Sequence, residues 1–198
     1  VAGSPVPDAL ITMSPRQGYS LFLGGMDGAV APLDSNQSYL PYDGSDWAMT
    51  YWMKTSAAQE GDTILELRGY PLVMRAMINS TQTGVRVYFG GTELISAEFV
   101  DNPTDWHHIA VVYSEGIGRL YIDGTLAGQN TFSNVSPATG LCLGNGAANG
   151  MGWSGWIDEL RFYDRRLDEV DLDGVMAGTA SRNTPGLLYY WKMDEHLG

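Results

Sequence analysis

Residues 105–128, DWHHIAVVYSEGIGRLYIDGTLAG, leave the backbone few choices. Trp106 to Tyr113 is β-branched and aromatic, the composition that packs best on a pleated surface. Ser114 to Gly118 supplies a glycine-rich turn, and Arg119 to Ile122 returns. Asp123-Gly124 then turns the chain again, because this dipeptide tolerates the positive φ of a tight hairpin, and Thr125 to Ala127 continues past it. The result is a three-stranded antiparallel meander, which must bury one face against another layer.

The same grammar of short strands between turns runs through the chain. Tyr19 to Leu23 is apolar and stops at Gly24-Gly25. From Trp47 to Lys54 the sequence alternates, with Trp47, Met49, Tyr51 and Met53 on one face and Ala48, Thr50, Trp52 and Lys54 on the other. Further strands are expected at Thr63 to Leu67, Leu72 to Ile78, Gly84 to Phe89, Thr92 to Val100, Leu141 to Gly144 and Ile157 to Tyr163. One helix is expected, Asp168 to Met176, with Asp168 as N-cap and Gly178 as its stop. Twenty-five glycines and nine prolines supply the turns, and 44% hydrophobic residues supply a core. Regular strand spacing of this kind points to a β-sandwich or barrel, and 198 residues suit one large domain.

Residues 1–178 read as that domain, and 179–185 (TASRNTP) as a polar linker. Residues 186–198 open on an isolated apolar strand, GLLYYWKMD. The start, VAGSPVPDAL, lacks the basic and apolar regions of a signal peptide and is expected to be a mature or trimmed N-terminus. No uninterrupted apolar run approaches the length of a membrane span. The net charge of −12 argues against nucleic acid and anionic membrane surfaces as partners, and is compatible with solubility or with divalent cations. The single cysteine, Cys142, excludes an intrachain disulfide and sits in an apolar run. Asn36, Asn79 and Asn134 each open an N-glycosylation tripeptide.

Four segments resemble the LamG-like family of concanavalin A-like jelly rolls, relatives of pentraxins, legume lectins and laminarinase-type glucanases. They are Ser20 to Val30 (SLFLGGMDGAV), Trp47 to Thr55 (WAMTYWMKT), Asp105 to Gly128, and Gly155 to Leu167 (GWIDELRFYDRRL), which together span residues 19–177. The resemblance implies an all-β fold: a two-sheet antiparallel jelly-roll β-sandwich with one short helix near the C-terminus. It also implies a secreted or cell-surface module that binds glycans or surface proteins, and a calcium ion at the sandwich rim. By position, Asp27 and Asp158 match the residues that hold that ion.

One departure from the pattern is informative. The family's aromatic-acidic opening segment is missing from the N-terminus, whereas Gly186 to Leu197 (GLLYYWKMDEHL) is similar to it. The tail either opens the next repeat of a tandem array, returns to its own sandwich, or inserts into a neighbour's. Leu187, Leu188, Tyr189, Tyr190, Trp191 and Met193 would make a sticky free edge, so pairing is expected. Head-to-tail donation of this strand would build a filament or array.

Catalysis is not expected. The laminarinase-type relatives carry a Glu-x-Asp-x-x-Glu strand, which aligns carboxylates on one face, and no such run occurs here. Asp158 and Glu159 are adjacent and so would face opposite ways on a strand, as would His107 and His108. A glycan-degrading enzyme therefore ranks behind a binding module and behind a structural subunit. Two aromatic residues are candidates for stacking on sugars: Trp52, opposite the presumed core face, and Trp153, in the glycine-rich stretch from Gly144 to Gly155.

Overall fold

The computed structural model describes residues 10–14, 18–24, 29–32, 37–57, 59–69, 74–89, 92–100, 102, 104–132, 137–144, 152–181 and 183–193. They form two antiparallel sheets and one helix. The larger sheet orders β1 (Leu10–Ser14), β2 (Gly18–Gly24), β13 (Ser154–Tyr163), β4 (Trp47–Ala57), β9 (His107–Ser114), β10 (Ile117–Ile122) and β11 (Thr125–Thr131), with β14 (Leu187–Trp191) also on β13. The smaller sheet orders β3 (Ala29–Pro32), β12 (Gly140–Leu143), β5 (Thr63–Arg68), β6 (Met74–Ile78), β7 (Gly84–Phe89) and β8 (Thr92–Glu98). The expected β-sandwich is the observed architecture.

The alternation in β4 sets the core. Trp47, Met49, Tyr51 and Met53 have no exposed surface and meet Leu65, Leu67, Val85 and Val87 from the other sheet. The opposite face of β4 is buried as well. Ala48 packs with Ala110, Val112 and Tyr163 beneath Leu172 and Val175 of α1 (Glu169–Met176). Asp168 caps that helix by accepting the backbone N–H of Asp171, and the Asp171 carboxylate accepts the Asp168 N–H in return. Such reciprocal capping satisfies two otherwise orphaned donors. Arg165 grips Asp171 with two hydrogen bonds of 2.7 Å, fixing the helix start to the end of β13.

The C-terminal strand is used within its own chain. One edge of β13 follows β4 along its length. The other edge is shared: β2 occupies Ser154 to Ile157, and β14 occupies Leu160 to Tyr163. Tyr189 and Trp191 turn inward onto Tyr39 and Phe162, whose rings lie 5.1 to 6.5 Å from them. Met193 joins the same core, while Leu188 faces outward at 41% exposed. Described residues of the polar run 179–185 are hydrogen-bonded to their surroundings. The Ala180 N–H bonds to the Gly174 carbonyl, Arg165 donates to the Pro185 carbonyl, and the Asp164 N–H bonds to the Gly186 carbonyl.

Candidate functional site

The end of β4, the starts of β5, β9 and β13, the end of β12, the β6–β7 and β10–β11 connections and the described residues after β8 gather at one rim of the sandwich. Two polar constellations stand there on ordered backbone.

The first is built on Asn79, between β6 and β7. Its side chain is buried and serves the backbone: its Oδ1 accepts from the N–H groups of Thr83 and Gly84 at 3.2 and 3.1 Å. Its Nδ2 donates to Glu98 at 3.1 Å. A β-carbon on Gly84 would lie 1.9 Å from the Ala97 carbonyl, so only glycine lets β7 approach β8 here. The hydroxyls of Thr81 and Thr83 both donate to the exposed Glu98 carboxylate, Thr81 at 2.6 Å. Hydrogen bonds from Thr81 and Thr83, helped by Asn79 against a small burial cost, hold the Glu98 carboxyl below its ordinary range. Two hydroxyls and an ionised carboxylate therefore face solvent on a pinned scaffold, a set able to exchange hydrogen bonds with a polyol. The signal in the sequence was the Asn79-x-Thr81-x-Thr83-Gly84 spacing, which reads first as a glycosylation tripeptide.

The second constellation joins His107, Asp123 and Asn102. His107 lies 2.8 Å from Asp123 through Nδ1 and 3.0 Å from the Asn102 carbonyl through Nε2. Asp123, with φ 51°, is in the left-handed region that its Asp-Gly turn demands. Nearby, burial raises the carboxyl of Asp62 above its ordinary range, although its Oδ2 accepts the Gln59 N–H.

The residues singled out in the sequence are only in part among the described residues. Asp27 lies outside the described residues. Asp158 is buried in β13, pairs in register with Trp52, and accepts the Glu159 N–H at 2.9 Å. Among the described residues no group of three His, Cys, Asp or Glu side chains is placed to hold a metal ion. The two candidate sugar platforms are corrected by burial. Trp153 is wholly enclosed, its indole N–H donating to Thr55 at 3.3 Å and its ring lying where a Gly155 β-carbon would be 2.3 Å away. Trp52, 6% exposed, tilts against His108 at 5.1 Å. Stacking on a sugar needs an open ring face, and neither indole offers one. Cys142 is buried, as its apolar surroundings implied.

Glu159 escapes strict alternation. It sits at a bulge with φ 54° and bonds to Arg161, and the Tyr190 hydroxyl of β14 donates to it at 2.6 Å. The Arg161 guanidinium lies 4.2 Å from the Tyr190 ring centre. This cluster clasps β14 to β13.

A family model described as the concanavalin A-like lectin/glucanases superfamily matches residues 24–184. No curated protein matches the chain. Among solved structures, a Bacteroides ovatus ATCC 8483 protein proposed to bind carbohydrate shares 19% identity at a TM-score of 0.64, over 83% of this chain and 51% of its own. The binding domain of Paraclostridial Mosquitocidal Protein 1 shares 12% at 0.68, over 88% and 46%. The botulinum neurotoxin serotype D ligand binding domain, solved with N-acetylneuraminic acid, shares 16% at 0.66, over 88% and 45%. The chain spans about half the length of these solved chains, and at such identities the likeness is one of fold.

Proposed function

The chain belongs to the concanavalin A-like lectin/glucanases superfamily, and from that premise we propose that it is a non-catalytic, extracellular recognition module that binds carbohydrate at the rim carrying Glu98. The observation behind the site is the exposed triad of Thr81, Thr83 and Glu98, held by the buried Asn79. Carbohydrate binding in the B. ovatus protein's description and N-acetylneuraminic acid in the toxin complex support the ligand class. The non-catalytic reading rests on the carboxylates themselves. Glu98 is tied to two hydroxyls, and Asp62 is tied to its own turn. Retaining or inverting hydrolysis needs two carboxyls set about 5 to 10 Å apart across a sugar.

A glycan array tests the reading. Wild-type protein should bind a defined subset of glycans, and Glu98→Gln with Thr81→Ala should lose at least about tenfold in affinity, or 1.4 kcal/mol. Uniform silence on the array would remove carbohydrate as the ligand, and hydrolysis of the bound glycan would remove the non-catalytic reading. A parallel arm with a calcium chelator decides whether calcium takes part.

The second reading, a subunit assembled by exchange of the C-terminal strand, draws on β14. It has β13 as its partner strand, and its other edge carries no strand among the described residues. Size-exclusion chromatography separates the two readings. A monomer at all concentrations ends the exchange reading, while concentration-dependent multimers of the full chain support it.

A further inference from the structure

His107 opens β9 with its side chain 2% exposed, and both ring nitrogens meet oxygen at hydrogen-bonding distance. The Nε2 partner is a backbone carbonyl, which can only accept. The Nδ1 partner is Asp123 Oδ2, and the other oxygen of that carboxylate already accepts the His108 backbone N–H at 2.8 Å. A neutral imidazole has one N–H and would turn a lone pair toward one of these two acceptors. Only the doubly protonated ring satisfies both. Phe99 lies parallel to it at 4.1 Å and 7°, a stacking that also favours a cation.

These contacts join three stretches of chain. Phe99 follows β8 of the smaller sheet, and its N–H bonds to the Thr83 carbonyl within the Asn79 turn. Asn102 anchors its own turn: its carbonyl also accepts the Asp105 N–H, and its Oδ1 accepts the Thr104 N–H. Asp123 belongs to the β10–β11 turn of the larger sheet. We propose that His107 is held as the imidazolium at neutral pH and acts as a charged tie between the two sheets, whose deprotonation in mild alkali frees the Asn102 turn beside the Glu98 rim.

Among the described residues, the charged groups acting on the ring are Asp123 from the β10–β11 turn and Asp105 from the β8–β9 connection. His108 of the same strand acts on Asp123. From β4 the register partner is the apolar Met53. Burial alone would lower the His107 pKa, but the bonds to Asp123 and Asn102 and the charges of Asp123 and Asp105 outweigh it and hold it above 6.5. Burial would raise Asp123, and the bonds from His107 and His108 outweigh that too.

The test is nitrogen NMR of the histidine rings across the titration, with the His107 signal assigned by its loss in His107→Gln. Both ring nitrogens of His107 should carry protons at about pH 7, and the ring should titrate above the ordinary histidine value. Asp123→Asn should move that titration down. Amide exchange, corrected for its intrinsic pH dependence, should show several-fold loss of protection at Asp105 as the ring deprotonates, with protection in β6 and β7 unchanged. A neutral tautomer at neutral pH overturns the proposal. So does protection at Asp105 that ignores the titration, or a His107 titration that Asp123→Asn leaves in place. Should His107→Gln fail to fold, Asp123→Asn and the wild-type titration still decide the matter.

Discussion

A single amide shows how a residue read one way in a sequence is used another way in a fold. Asn79 heads an acceptor tripeptide, yet its side chain is 1% exposed and committed to Thr83, Gly84 and Glu98. A sugar on Nδ2 would have to replace the bond to Glu98 and enter the space where β7 meets β8. Expression in a glycosylating host should therefore leave Asn79 unmodified, which mass spectrometry of the tryptic peptide checks. Asn79→Ala should cost about 1–3 kcal/mol, because it strands the buried Gly84 N–H and the half-buried Thr83 N–H. Chemical denaturation measures this, and a glycan at Asn79 or a neutral Asn79→Ala would refute the assignment. The same lesson applies to the tryptophans. The alternation of β4 placed Trp52 opposite the core, but it carried no information that this second face is itself covered, with Thr50, His108 and Arg161 as buried as the core. Trp153 stands in a glycine-rich stretch that reads as an open loop, yet it packs in the main core, with its ring against Gly155. Burial of these rings depends on distant segments, which local pattern does not encode.

Elements were more legible than residues, because period-two hydrophobicity and turn chemistry act locally. The 105–128 meander, the alternating β4 and the capped helix all form where the sequence put them. The strands β1 and β3 went unread: Leu10–Ser14 and Ala29–Pro32 are short, and each has proline near it or in it. Partner choice was legible only as a question, since Tyr189 and Trp191 declare that they will be buried but not against what. In the structure they close over Phe162 and Tyr39. Deleting residues 186–198 would uncover those rings and strip the outer edge of β13. Burying one large side chain stabilises by about 1.5–3 kcal/mol, so losing two removes much of the stability of an ordinary domain. The truncated chain should show no cooperative thermal transition. Leu188→Ser, on the outward face, should shift stability by no more than about 0.5 kcal/mol. A truncated chain that melts cooperatively near the wild-type temperature would show that β14 is dispensable to the sandwich.

At the scale of the whole molecule, titration binds these parts together. The His107 pKa is raised on folding, so its contribution is fully present below 6.5 and is lost as pH climbs through the folded value. Asp123, Glu98 and Asp171 are lowered, so theirs is present above the ordinary carboxylate range and is lost as pH falls through the folded values. Asp62, raised by burial, works the other way and weakens the fold once it ionises. Glu98 is almost fully solvated and contributes little, which leaves the His107–Asp123 pair, counted once, as the main term on both limbs. The net charge of −12 adds repulsion that grows as the histidines discharge. Stability should therefore peak on the acid side of neutrality, at about pH 5–6.5, and decline toward alkali. Melting temperatures across that range give the curve. In Asp123→Asn the tie loses its anion, so the alkaline decline should flatten and the peak should fall. If the wild-type curve is level from neutrality into alkali, or if the variant keeps the wild-type slope, then the acidic surface alone sets the pH response and the tie between the sheets carries none of it.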